Sequence, residues 1–233
     1  MKLHRRRADR GPRPWLSAAP AALAGLAYLA CAPGGGTPGE EAGEGADTMA
    51  AAETAMAAGA TAQEAPACRF TAAGEELTGR ASPPDSATVE LGGQTVKLCY
   101  SAPSMRGRTI MGDLVPYGEP WRMGANEPTT LHVPFAAEVG TVRVEPGSYA
   151  LYAVPGESEW TIVVNAAPDR WGIPIDEEVR AQDVGSFAVQ PEALEQPVER
   201  LAIRMEPGEG GAANVVVEWA NTRVSFPIRP AEG

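Results

Sequence analysis

Histidine is nearly missing from this chain. There are 2 in 233 residues, and His4 lies in a basic leader, so His132 is the only imidazole in the body of the protein. A Ser-His-Asp or Cys-His arrangement would have to use it, and no Gly-x-Ser-x-Gly elbow is present. Its place between Leu131 and Val133 reads as the second face of a strand. Cysteine is scarce too, at 3 residues with no Cys-x-x-Cys spacing, which argues against a redox or zinc site. A metal site would need carboxylates, and Asp113, Glu119 and Glu127 show no ligand spacing. Neither metal nor cofactor is expected. No pair of acids stands out for glycoside hydrolysis. Helical periodicity is almost absent, and the longest apolar run is too short and too weakly apolar for a comfortable membrane span.

Basic residues are also few once the leader is set aside. The first thirty residues hold Lys2, Arg5, Arg6, Arg7, Arg10 and Arg13 against Asp9. The remainder carries 13 basic and 29 acidic residues, a net of −16. Such a surface repels nucleic acid and anionic headgroups, so nucleic-acid binding is excluded.

What is present begins with an address. A basic stretch is followed by the apolar run to Ala30, then Cys31 and glycines. This resembles a bacterial lipoprotein signal, with Cys31 lipidated as the mature N-terminus. Tyr28 and Leu29 depart from that pattern, and an ordinary secretory signal is the alternative. Residues 1–31 are therefore read as signal peptide and lipidation site, and the protein as exported, anchored in the periplasm or at the cell surface. Residues 32–67 are rich in Ala, Gly and Glu with no Lys or Arg, a composition that cannot bury a core. They read as a disordered tether with a mean span of roughly 30 Å. Cys68 and Cys99 then remain, and export favours their pairing as a disulfide over two buried thiols.

Residues 68–233 form the folded domain, about 165 residues and enough for one core. Thr88–Leu91 and Gln94–Tyr100 flank Gly92-Gly93, a two-residue hairpin signal. Further strands are expected at Thr130–Phe135, Gly140–Val144, Ser148–Val154, Trp160–Asn165, Ser186–Gln190, Val198–Met205, Asn214–Trp219 and Arg223–Ile228. Ala220–Thr222 reads as a turn. Asp176–Arg180 and Glu192–Glu195 each allow one helical turn. Ser148–Val154 is apolar on both faces and should be a central strand. The expectation is an all-β fold: an antiparallel β-sandwich, jelly-roll-like, with one or two short helical turns.

The least generic stretch is Tyr100–Thr130, YSAPSMRGRTIMGDLVPYGEPWRMGANEPTT. It resembles the opening signature of the domain of unknown function 2911 family, which reads roughly Tyr-Ser-Arg-Pro, Lys-Gly-Arg, Leu-Val-Pro-Tyr-Gly and Trp-Arg-x-Gly-Ala-Asn-Glu. The likeness continues through Pro146–Tyr152, Glu159–Ile162, Trp171-Gly172 and Val198–Leu201, and covers Leu91 to Ile228. Ala102 stands where the family usually has Arg, Arg106 replaces Lys, and Ile173–Asp183 lacks the usual Tyr and spacing. The resemblance implies the fold and an exported location, and no chemistry.

Within that stretch Arg108, Tyr117, Trp121, Arg122, Asn126 and Glu127 are the candidate ligand-binding residues. Trp121 would give a flat apolar face, the arginines a grip on an anion or polar group, and Asn126 an orienting amide. Trp171-Gly172 could be a lid over the same pocket. The competing reading is internal support, since a long irregular loop must satisfy its own backbone groups. With no nucleophile–base pair visible, a non-catalytic module binding a small polar ligand, glycan or partner is favoured. The alternatives are a hydrolase acting on envelope polymers and a purely structural envelope module.

Overall fold

A computed structural model describes residues 65–71 and 75–232. The expected signal segment with Cys31, and the tether up to residue 64, lie outside the described residues. Ten strands are present among the described residues. They are β1 (Pro84–Leu91), β2 (Gln94–Ser101), β3 (Thr129–Val133), β4 (Ala137–Val139), β5 (Val142–Val144), β6 (Gly147–Val154), β7 (Trp160–Asn165), β8 (Asp183–Val189), β9 (Glu192–Pro207) and β10 (Ala213–Pro230). A single helical turn, α1 (Glu75–Thr78), precedes β1, a second, α2 (Glu177–Arg180), lies between β7 and β8, and a short 3-10 turn at Glu209–Gly211 joins β9 to β10.

The strands form a six-stranded sheet in the order β1-β2-β3-β6-β7-β8 and a four-stranded sheet in the order β5-β4-β10-β9. All the strand ladders are antiparallel, and the protein is an all-β sandwich. Gly92 and Gly93 have φ of 57° and 76°, the pair of left-handed residues that a tight hairpin needs to match strand twist. Alternation then decides the faces. Val96, Leu98, Leu131, Val133, Leu151, Trp160, Ile162 and Val164 point inward, against Val215, Val217, Trp219, Phe226 and Ile228 of the other sheet. In β6, between β3 and β7, Ala150 to Ala153 are all buried, which makes it the central strand that its apolar sequence implies. Tyr100 ties the two sheets together, its hydroxyl accepting the Ile203 N–H at 3.0 Å.

Several strands differ from the expected bounds at their ends, with β1 starting at Pro84 and β8 at Asp183, and the helical turn α1 was not expected. Three further differences go deeper. Ala137–Val139 is a separate strand, set off from β5 by Gly140 at φ 59°. Glu192–Glu195 is the start of β9 and not a helical turn, because Glu192 and Ala193 pair with Arg223 and Thr222. Ala220–Thr222 is no chain reversal. Both halves of β10 pair with the same neighbour, and the register shifts twice, at Glu218/Ala220 and Ala220/Thr222. The surplus residues belong to β9 and include Pro197, which has no N–H to give to a ladder, so the irregularity is a bulge.

Candidate functional site

The signature stretch leaves β2 and is laid back onto both sheets by its backbone. Leu201 donates to Pro103 O at 2.9 Å and Met105 to Glu199 O at 2.7 Å, which seats the first part on β9. Trp121 and Ala153 exchange N–H···O bonds of 2.7 and 2.8 Å, which seats the later part on β6. The side chain of Trp121 therefore faces the core. It is 9% exposed, stacks on Trp219 with centroids 5.8 Å apart, and meets Trp160 edge-on at 5.9 Å. Arg122, one residue on, falls by alternation on the outer face of the six-stranded sheet.

The chain then turns sharply, with Met123 and Asn126 at φ 54° and 60°. Thr129 Oγ1 donates to Met123 O at 2.8 Å and Asn126 Nδ2 to Ser82 O at 3.3 Å, holding the turn from both sides. Arg108 has a more local role. Its Nε and Nη2 donate to Met105 O and Ser104 O at 2.9 and 2.7 Å, closing its own turn. Tyr117 is largely exposed. Asn126 and Arg108 thus satisfy backbone groups, Trp121 is core, and Arg122 and Glu127 face a different neighbourhood.

Glu127 is buried and accepts four hydrogen bonds. Thr71 gives its N–H at 2.9 Å and its hydroxyl at 2.5 Å, and Arg80 gives Nη1 and Nη2 at 2.7 and 2.9 Å. Burial by itself would raise its carboxyl, but the bonds from Arg80 and Thr71 outweigh that and hold it at about 2. The segment carrying Thr71 is fixed to the sheet by a disulfide between Cys68 and Cys99, whose Cα atoms are 5.7 Å apart. Arg69 adds an exposed ion pair to Asp169 at 3.6 Å.

Asp169 belongs to the loop between β7 and α2, which is fastened at several points. Gly172 donates to Asn126 O at 3.0 Å. A Cβ on Gly172 would overlap both that oxygen and Arg122 Cδ, so only glycine permits this approach. Arg170 Nη1 donates to Trp171 O at 2.9 Å. At the loop's base Asn165 Nδ2 donates to Val179 O at 2.7 Å and Asp183 Oδ1 at 2.8 Å, and Tyr152 donates to Asp183 Oδ2 at 2.7 Å. Burial and then the Asp183 carboxylate push the Tyr152 phenol up, so it stays a donor. Asp176 caps α2 by accepting the Val179 N–H at 3.1 Å.

Two features of this loop and the stretch beneath it are costly. Arg122 Nε and Arg170 Nε and Nη2 are buried without hydrogen-bond partners, and burial lowers the pKa of both guanidinium groups. Trp171 and Ile173 remain 47% and 51% exposed on the well-fastened loop. Two clefts meet there. Asp169, Arg170 and Trp171 line both of them. One continues past Ile173 and Asp176 toward Gln182, the other past Phe70 and Thr71 to Glu127.

His132 lies on the outer sheet face, opposite Ser148, with Nδ1 3.0 Å from Ser148 Oγ. Burial, then Lys97 across the strand pair, lowers its pKa and favours the neutral ring. Sequence reasoning missed this pair, and also Arg80, Tyr152, Asn165, Arg170 and Asp183. The legible signal was strand parity, since Tyr152 and Asn165 both fall on the outer-face positions of β6 and β7, opposite in parity to Leu151, Ile162 and Val164.

No curated protein and no solved structure matches the chain. Residues 82–228, from just before β1 to near the end of β10, match the model of a family described as a protein of unknown function, DUF2911, and the chain belongs to that family.

Proposed function

We propose that this is an exported, non-catalytic binding module, tethered through lipid on Cys31 and an acidic linker, that takes a small polar ligand at the Trp171 loop. The carrying observation is Trp171. An apolar ring of this size left half in water forgoes burial that a loose loop would recover by folding inward. Here Gly172 and Arg170 hold the backbone on either side of it, so its exposure is built in. Signal and linker composition support export and anchoring, since two or more acyl chains give stable attachment without a transmembrane helix. Arg122 and Glu127 keep a part in this reading as the floor beneath the loop, while the aromatic role passes from Trp121 to Trp171.

A hydrolase alternative of the serine type would have to use His132, the only imidazole among the described residues, with Ser148 beside it. A neutral imidazole beside a hydroxyl can accept its proton. Among the described residues, however, no carboxylate hydrogen-bonds the other ring nitrogen of His132, so the orienting group of a triad is missing. The pair reads as a cross-strand hydrogen bond.

The test is a thermal-shift screen of small polar compounds and short glycans on the protein and on Trp171→Ala. The reading expects at least one compound that raises the Tm of the parent and not of the variant. Shifts that persist in the variant would contradict it, as would Ser148-dependent labelling by a fluorophosphonate.

A further inference from the structure

We infer that the ligand of the Trp171 loop is a neutral oligosaccharide of at least two rings lying across the indole. This rests on the binding-module reading and names its ligand class.

The aromatic ridge comes first. Trp171 and Ile173 form an exposed apolar strip, the ring held outward by the Gly172–Asn126 and Arg170–Trp171 hydrogen bonds. A sugar ring presents one flat C–H face that suits an indole and an edge of hydroxyls that suits carboxylates and amides.

The polar groups beside the ridge bear on the charge class. Arg69 lines the second cleft, and its guanidinium is paired there with Asp169 at 3.6 Å. Arg170 presents little to a ligand in the cleft: Nη1 is given to the Trp171 carbonyl, and Nε and Nη2, although unpartnered, are shielded from solvent. What faces the first cleft is Asp176, Glu178 and Gln182, an acceptor-rich set that matches a ligand rich in O–H donors. An anionic ligand would meet these carboxylates and the net −16 of the chain beyond residue 30.

The length of the ligand follows from the shared ridge. Trp171 lines two clefts that also share Asp169 and Arg170, so one ring stacked there leaves a second cleft for its neighbour.

The experiment is calorimetric titration of the full chain with neutral hexose oligomers of one, two and four rings, in gluco, manno and galacto configurations. Trimethylammonium and succinate serve as small-ion probes. The inference expects one series to tighten about tenfold or more from one ring to two, with little dependence on salt. It expects loss of about tenfold or more in Trp171→Ala, partial retention in Trp171→Phe, and no change in Leu114→Ala, another exposed apolar site. Melting curves of each variant report folding separately. Salt-sensitive binding of trimethylammonium, or binding of succinate, that is lost in Trp171→Ala would overturn the sugar class and leave the binding-module reading standing. Sugar binding unchanged in Trp171→Ala would overturn both. Silence of every series and both ions would overturn the sugar inference, and the wider compound screen would then decide the module reading.

Discussion

Gly172 and Asn126 meet backbone to backbone. The Gly172 N–H donates to the Asn126 carbonyl at 3.0 Å, and no side chain of any size fits between them. This contact is how a signature near the middle of the sequence governs a loop some fifty residues later. Asn126 can offer its oxygen there because it adopts φ 60°, a conformation that asparagine tolerates better than most residues.

Gly172→Ala should therefore lift the loop. The new methyl would meet a backbone oxygen, which cannot rotate away, together with the Arg122 stem. A loss of about 1–3 kcal/mol in unfolding free energy is expected, the usual range for overpacking. Ligand binding should weaken as well. Denaturant unfolding and titration measure both, and parental stability in the variant would show the contact to be slack.

The Glu127 clamp predicts an acid-linked loss of stability. Its carboxyl falls from an ordinary value near 4.5 to about 2 on folding. The contribution is complete above pH 4.5 or so and fades as pH falls through about 2, because the unfolded chain takes up the proton first. Glu127→Gln should cost about 1–3 kcal/mol near neutral pH, by leaving the half-buried Arg80 guanidinium beside a neutral partner. The variant should also show a flatter stability profile between pH 5 and 2. An unchanged profile would mean that other carboxylates dominate.

The disulfide gives a further expectation. Cys68 and Cys99 are 31 residues apart, and a closed loop of that size stabilises by about 3 to 4 kcal/mol in the chain-entropy account. Cys68→Ser with Cys99→Ser should lose about that much in chemical denaturation. The 65–71 segment should also become a protease target, since the Cys68 anchor and the Thr71 contacts with Glu127 hold it down together. Equal protease resistance with and without the bond would show that the Thr71 contacts suffice.

Much of the fold was legible because two-residue alternation is a strong signal where one face is buried. Trp160–Asn165 and the Gly92-Gly93 turn were read to the residue, while the first hairpin strand starts four residues earlier than expected, at Pro84. The bulge in β9 was not, because Ala220–Thr222 has turn-like composition and only long-range pairing shows that the chain runs on. The placement of the candidate residues was legible only in part. Arg122, Asn126 and Glu127 do support the loop region, but Trp121 gave no sign in its own neighbourhood that it would be drawn inward. Its place follows from pairing with Ala153 and from Trp160 and Trp219 waiting on facing strands. Arg80 and Thr71, which complete the Glu127 clamp, lie outside any pattern, since nothing local ties them to a carboxylate about fifty residues on.

The most direct test follows the indole N–H signals of Trp121, Trp160, Trp171 and Trp219 by NMR while a neutral tetrasaccharide is titrated into the protein. The account predicts that the Trp171 signal shifts progressively to saturation while the other three stay in place. Movement of the Trp121 or Trp219 signal with Trp171 unmoved would contradict it.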